Sequence, residues 1–171
     1  MAKTYKLIEA RTLSSDTSSV AFTSIPQTYT DLQLLTSVRI NRTGSSVNMA
    51  MDFNGDGSNY TNLALVSYGN STDKLYSTAL GSFAYWYSPG NGATADTFSN
   101  QSIYIPNYAG SNYKSVSIDS TSENNGVDTN LIFFAGLWAN TAAITTVQLG
   151  NYQGSNLRSG STFYLYGIKN S

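Results

Sequence analysis

The chain of 171 residues contains no cysteine and no histidine. These absences exclude Cys/His zinc sites, cysteine nucleophiles, imidazole general bases and a Ser-His-Asp triad. They also exclude disulfide bonds, which favours folding in a reducing cytoplasm or stabilisation by oligomerisation. The only carboxylates are two Glu and eight Asp residues, and no pattern pairs them across a cleft. We therefore expect a protein that is not an enzyme and uses no cofactor.

Charge is scarce as well. Asp, Glu, Lys and Arg make up 11% of the chain, less than half of the usual share of about 25%, and the formal net charge is -1. This balance predicts no nucleic-acid partner and no attraction to an anionic membrane. The longest apolar run, Leu131 to Trp138, is far shorter than the roughly 20 residues that span a bilayer. The residues after Met1 lack the apolar stretch of a signal peptide, so we expect synthesis and folding in a cytoplasm.

The residues that are abundant favour strands and turns. Ser, Thr, Asn and Gly occupy 75 of the 171 positions, a composition that disfavours helices. Short runs alternate between apolar and polar residues, as from Leu32 to Ile40 and from Val47 to Phe53. The pattern predicts about nine to eleven strands joined by turns, hence an all-β antiparallel sandwich or barrel. We expect one domain over residues 1–171, with a short N-terminal arm at 1–4.

Two segments leave alternatives open. Tyr60 to Tyr76 fits a strand, although a single helical turn after Ser58 also fits, and we predict the strand. Leu131 to Trp138 is apolar on both faces. That pattern predicts either a central strand covered on both sides or a strand with one face buried in an oligomer.

One local motif suggests a metal. Asp52, Asn54 and Asp56 around Gly55 and Gly57 match the start of a calcium-binding loop, where alternate side-chain oxygens converge on the ion. The twelfth position is Leu63, where the motif needs a bidentate carboxylate. We therefore favour a hairpin turn, in which the Asn and Asp side chains cap backbone amides, over a calcium site in the loop Asn54–Asn59.

Aromatic residues are numerous, with 13 Tyr, 7 Phe and 2 Trp. In strands such residues favour the core or a subunit interface, and the alternative is a platform for sugars or proteins. Our candidates for an assembly interface are the aromatic residues that alternation does not assign to the core: Tyr85, Tyr87, Phe134 and Trp138.

Four segments resemble tailed-phage virion proteins, the small β-sandwich proteins of capsids and tail fibres that are common in cyanophages and marine phages. They are Tyr5 to Ala10, Ser18 to Leu34, Met51 to Asp56 and Phe163 to Lys169. The most specific phrases are SIPQTYTDLQL and LYGIK, and the likeness spans essentially the whole chain.

This resemblance implies a jelly-roll sandwich, usually a homotrimer, that decorates or cements the outer capsid surface by contact with the major capsid protein. The chain would then be made in the host bacterial cytoplasm and end in the virion, on the capsid exterior. The alternative is a tail-fibre or receptor-binding domain that recognises host glycans. A bacterial carbohydrate-binding module ranks last, because such modules usually carry a signal peptide. The length of a single compact domain that starts with Met favours decoration, and the resemblance defines no site residues.

Overall fold

A computed structural model describes residues 4–68, 71–122 and 130–169 of the chain. These residues form twelve β-strands and contain no helix. The strands are β1 (Thr4–Thr12), β2 (Ser19–Phe22), β3 (Asp31–Ser37), β4 (Ser46–Phe53), β5 (Tyr60–Tyr68), β6 (Ser71–Leu80), β7 (Phe83–Pro89), β8 (Asn100–Ile105), β9 (Lys114–Ser122), β10 (Asn130–Trp138), β11 (Val147–Asn151) and β12 (Thr162–Lys169). The prediction of an all-β antiparallel sandwich is confirmed.

The strands form two antiparallel sheets. The large sheet has eight strands in the order β1-β12-β3-β8-β9-β10-β5-β6, and the small sheet has four in the order β2-β11-β4-β7. The first four strands of the large sheet and the whole small sheet have the strand order of an eight-stranded jelly roll. The remaining strands, β9, β10, β5 and β6, extend the large sheet beyond β8. The jelly-roll-like topology is therefore present, with an enlarged sheet.

Alternation explains why these segments form strands of a two-layer structure. In β4, β9 and β10, every second residue is buried and the residues between are exposed or half-buried. Because successive side chains of a strand point to opposite faces, one face of each sheet packs into the core and the other faces outward. β10 follows this rule, so its apolar character on both sides does not mean that both sides are covered within the chain.

The described residues between Tyr60 and Tyr76 are in strands, as predicted, but they belong to two strands, β5 and the first part of β6. β5 and β6 pair as antiparallel neighbours, with Val66 opposite Asp73. This division raises the strand count above our expectation, and the signal available in the sequence was the dipeptide Gly69-Asn70, which is typical of two-residue hairpin loops. At the N-terminus, Thr4 pairs with Lys169 as part of β1. The predicted arm therefore excludes Thr4, and residues 1–3 lie outside the described residues.

The two sheets meet at an aromatic cluster beneath β7. The Phe83 ring packs edge-on against three other rings, with centroid distances of 4.8 Å to Tyr60, 5.5 Å to Phe53 and 6.0 Å to Phe134. Trp138 packs edge-on against Phe53 at 5.5 Å. These geometries are the favourable ones for aromatic pairs. The cluster joins β4 and β7 of the small sheet to β5 and β10 of the large sheet.

A buried amide secures the other end of β7. The Gln101 side chain accepts hydrogen bonds from the Thr36 hydroxyl at 2.8 Å and the Trp86 indole N–H at 3.3 Å. Its amide nitrogen donates to the Ser88 hydroxyl at 2.8 Å. Because buried polar groups are costly without partners, this network fixes the lateral position of β7 over β8 and β3.

The cluster allows no side chain at Gly136 of β10. A Cβ atom there would lie 2.5 Å from Cε1 of Phe83 and 2.9 Å from Cε1 of Phe134. We expect Gly136→Ala to lower the free energy of unfolding by about 1–3 kcal/mol, because the rings must leave their favourable positions. Urea unfolding measures this change. Gly57→Ala is the matched control, since a Cβ at Gly57 meets nothing within 4 Å, and an equal loss in both variants would contradict the packing argument.

Candidate binding surfaces

The predicted calcium loop is a crossing between the sheets. β4 ends at Phe53 in the small sheet and β5 begins at Tyr60 in the large sheet. The expectation of a hairpin turn is therefore wrong, because the flanking strands belong to different layers. The expected capping role of the side chains is present. The Asn54 side-chain oxygen accepts from the backbone N–H groups of Thr145 and Thr146, and its amide donates to the Ala143 carbonyl.

Asp56 is the second anchor of this loop. One carboxylate oxygen accepts from the backbone N–H and the hydroxyl of Ser58, at 3.1 and 2.8 Å. The other accepts from the Trp138 indole N–H at 2.8 Å and from the Asn140 amide at 3.1 Å. These bonds, led by the Ser58 hydroxyl, lower the pKa of Asp56 below its ordinary value. The carboxylate thus ties the loop to the end of β10.

Asp52 lies apart from these anchors, on the outer face of the small sheet. Burial raises the pKa of its carboxyl group, and the negative charge of Asp56 adds to that effect, whereas a backbone hydrogen bond from Gly55 opposes it. Within the described residues, no group of three or more His, Cys, Asp or Glu side chains lies together in a way that could hold a metal. The oxygens of Asn54 and Asp56 are engaged with protein donors, which supports the capping interpretation of the loop.

The four predicted interface residues divide into two pairs. Phe134 and Trp138 lie in the core, at 3% and 0% exposure, so the expectation that they remain unburied is wrong. They occupy the inner face of β10, where they meet the rings of β4 and β7. Tyr85 and Tyr87 lie on β7 and are half-buried, and their role in an interface stays a prediction.

The apolar residues that remain exposed on β10 alternate with the buried ones along the strand. Leu131, Phe133 and Leu137 are 37%, 53% and 39% exposed. On the neighbouring strand β5, Leu63 and Leu65 are 48% and 46% exposed, and Leu65 lies directly opposite Phe133. These five residues form one continuous patch, which we name the apolar face.

Polar strands border the apolar face on both sides. Opposite β10, the outward residues of β9 include Ser117 and Asp119, which pair with Ala135 and Phe133. Opposite β5, Lys74 and Tyr76 of β6 pair with Leu65 and Leu63. An apolar centre with a polar rim is the usual composition of a protein interface.

A second surface feature is a groove of about 480 Å³ on the outer face of the small sheet. Along β11 and just beyond it, the outward residues are Gln148, Gly150 and Tyr152. Tyr152 continues the strand pairing, since its backbone N–H donates to the Asn48 carbonyl. Gly150 leaves a gap between the amide and the ring, and this gap is part of the groove, which Gly81 and Ser82 also line. Tyr152 was not among the residues predicted from the sequence, although the alternation of Gln148, Gly150 and Tyr152 was the available signal.

Tyr85 reaches this surface through a β-bulge. Between Asn48 and Ala50 of β4 the pairing with β7 shifts register, so that two residues of β7 oppose one of β4. Tyr85 adopts a φ of 74°, which is unfavourable for a side chain of its size. Its ring lies 5.9 Å from that of Tyr152. The strained backbone thus places a second aromatic ring beside the groove.

Comparisons with known proteins do not extend these observations. A scan against models of protein families finds no match, and a search of curated proteins finds no significant relative. Among the described residues, no helix is long and apolar enough to cross a membrane.

Because hydrogen bonds lower the pKa of Asp56, we expect its carboxylate to make a pH-dependent contribution to the stability of the fold. A group with a lowered folded-state pKa stabilises the fold above its unfolded pKa of about 4, and this stability is lost as the pH falls through the folded value. We expect Asp56→Asn to lower the free energy of unfolding by about 1–3 kcal/mol at pH 7, since an amide has one acceptor oxygen and cannot serve both the Ser58 and the Trp138 donors as the carboxylate does. Urea unfolding at pH 7 and at about pH 3 measures the change, which should shrink in acid.

Asp73→Asn, on the exposed strand β6, is the control for this variant and should change stability little at either pH. An equally large effect of Asp56→Asn at both pH values would assign the loss to packing and contradict the role of the charge.

Proposed function

We propose that this protein is a non-enzymatic structural component of a tailed-phage virion, which decorates or cements the outer capsid surface as a homo-oligomer. The observation that carries the proposal is the apolar face on β5 and β10. Its occupant in this proposal is a second copy of the chain, and the oligomer as a whole binds the major capsid protein.

The area of the apolar face supports this occupant. With about 200 Å² for each large apolar side chain, the exposed fractions of the five residues correspond to roughly 450 Å². A standard interface buries about 800 Å² per partner, of which somewhat more than half is apolar. One copy therefore presents about the apolar area that one side of a stable interface contains. The largest apolar patch on a typical monomer covers about 300–600 Å² and is often functional, and the apolar face lies within this range.

The low charge of the chain supports association with like surfaces. Burying ions at an interface requires their desolvation, which costs several kcal/mol for an unpaired charge. The five residues of the apolar face carry no charge, and the nearest charged side chains, Lys74 and Asp119, lie on the rim strands. Packing of copies through this face therefore leaves both charges at the solvated border.

The fold and the resemblance add support of a weaker kind. Jelly rolls form viral capsid domains and also lectin domains, so the topology is compatible with decoration without identifying it. The segments that resemble tailed-phage virion proteins include the first half of β3 and almost all of β12. Cementing of a shell needs buried surface and no chemistry, which agrees with a chain that lacks cysteine and histidine.

The apolar face can be tested with one charged substitution. Phe133→Lys places an ammonium group opposite Asp119 of β9, a pairing that the isolated fold tolerates. We expect the wild-type protein to be an oligomer, a trimer by the resemblance, and the variant to be a monomer, because association would bury the new charge. Light scattering coupled to size-exclusion chromatography measures the mass of each.

Tyr164→Lys is the matched control, since Tyr164 is exposed on the same sheet but lies on β12, away from the apolar face. It should leave the oligomer intact, and thermal unfolding should show that both variants are folded. A monomeric wild type at about 100 µM, or an unchanged oligomer in Phe133→Lys, would overturn the assignment of this face to a second copy.

The location of the protein is tested by its copy number in purified virions. Quantitative mass spectrometry against the major capsid protein measures this ratio. We expect hundreds of copies, close to one trimer per lattice site. A count of a few to some tens would instead place the protein in the tail, as a receptor-binding component, and its absence from virions would refute the phage assignment.

A further inference from the structure

We infer that the groove on the outer face of the small sheet is a binding site for a neutral saccharide, with Tyr152 as its stacking platform. This inference goes beyond the proposed function and does not rest on it. The groove and the apolar face lie on the outer faces of different sheets, so either assignment can fail without the other.

The groove has a floor of small residues that crosses the strands. Ser19 of β2, Gly150 of β11 and Ala50 of β4 are consecutive partners in the strand pairing. Gln148 and Tyr152 stand two residues to either side of Gly150, a separation of about 7 Å on each side at the rise of a β-strand. A sugar ring or two fits this width, and a volume of about 480 Å³ lies in the usual range for ligand sites, about 300–1,000 Å³.

The aromatic wall is held in place before any ligand arrives. Asn151, which is 8% exposed, accepts through its side-chain oxygen from the backbone N–H groups of Gln153 and Ser155. Its amide donates to the Asn48 carbonyl. These bonds fix the turn that carries Tyr152, and the strained residue Tyr85 packs beside it. A preformed wall saves the entropy of ordering a side chain on binding.

The chemistry of the lining selects the class of ligand. Tyr152 is 46% exposed, and the negative face of its ring attracts the slightly positive C–H groups on one side of a pyranose. Opposite the ring, Gln148 pairs with Asp52 across β11 and β4, so that an amide and a carboxylate face the same space as hydroxyl partners. The described residues that line the groove include no Lys or Arg, which disfavours an anionic ligand.

The experiment is saturation-transfer NMR of the full chain with a panel of neutral methyl glycosides of glucose, galactose, mannose, rhamnose and N-acetylglucosamine. We expect transfer from at least one member, with an affinity in the range of about 1 mM. Tyr152→Ala should weaken binding by about tenfold, the loss of one stacked aromatic ring. Ala50→Leu places a larger side chain on the floor of the groove, and this variant should abolish transfer.

Tyr164→Ala is the matched control, because it removes an exposed tyrosine from the outer face of the large sheet and should leave transfer unchanged. Thermal unfolding establishes that each variant is folded. Absence of transfer from every glycoside to the folded wild-type protein would overturn the inference. So would binding that survives both Tyr152→Ala and Ala50→Leu, since the ligand would then lie elsewhere.

Discussion

The packing of β7 against the large sheet is the contact that holds the two layers together, and it constrains the strands beyond β8. Eight strands in one sheet and four in the other leave an unequal sandwich, and β7 is the edge strand of the small sheet that contacts β5, β9 and β10. Phe83 fills the space that Gly136 leaves open, while Gln101 holds the strand from the other side. Without this contact, the strands that extend the large sheet beyond β8 would have no partner layer for their inner faces.

The same constraint separates the two surfaces of the molecule. Because the inner face of β10 must pack against Phe83, the alternation of the strand forces Leu131, Phe133 and Leu137 outward. On the small sheet, the bulge that lets Trp86 reach the core also moves Tyr85 to the outer face. The proposed assembly surface on one side and the candidate ligand groove on the other are thus consequences of how one edge strand is accommodated.

Jelly-roll domains serve both as shell components and as lectins, and this chain has features suited to each use. The apolar face has the size of one side of a subunit interface, whereas the groove has the dimensions of a sugar site and no Lys or Arg among the described residues that line it. A virion protein that associates through one face keeps the opposite one free to meet other molecules. The two proposals are therefore compatible within one particle.

The fold class was predictable from the residues alone, since scarcity of helix formers and alternation at period two act locally along each strand. The two apolar faces of the run from Leu131 to Trp138 were also visible in the sequence. Which of those faces is buried depends on the partner layer, so the position of Phe134 and Trp138 inside and of Phe133 outside became known from the packing of the two sheets. The groove between Gln148 and Tyr152 could not be predicted from the sequence either, since its floor is built from strands that are far apart in the chain. Pairing between distant segments is set by the packing of the whole core, and local patterns carry little information about it.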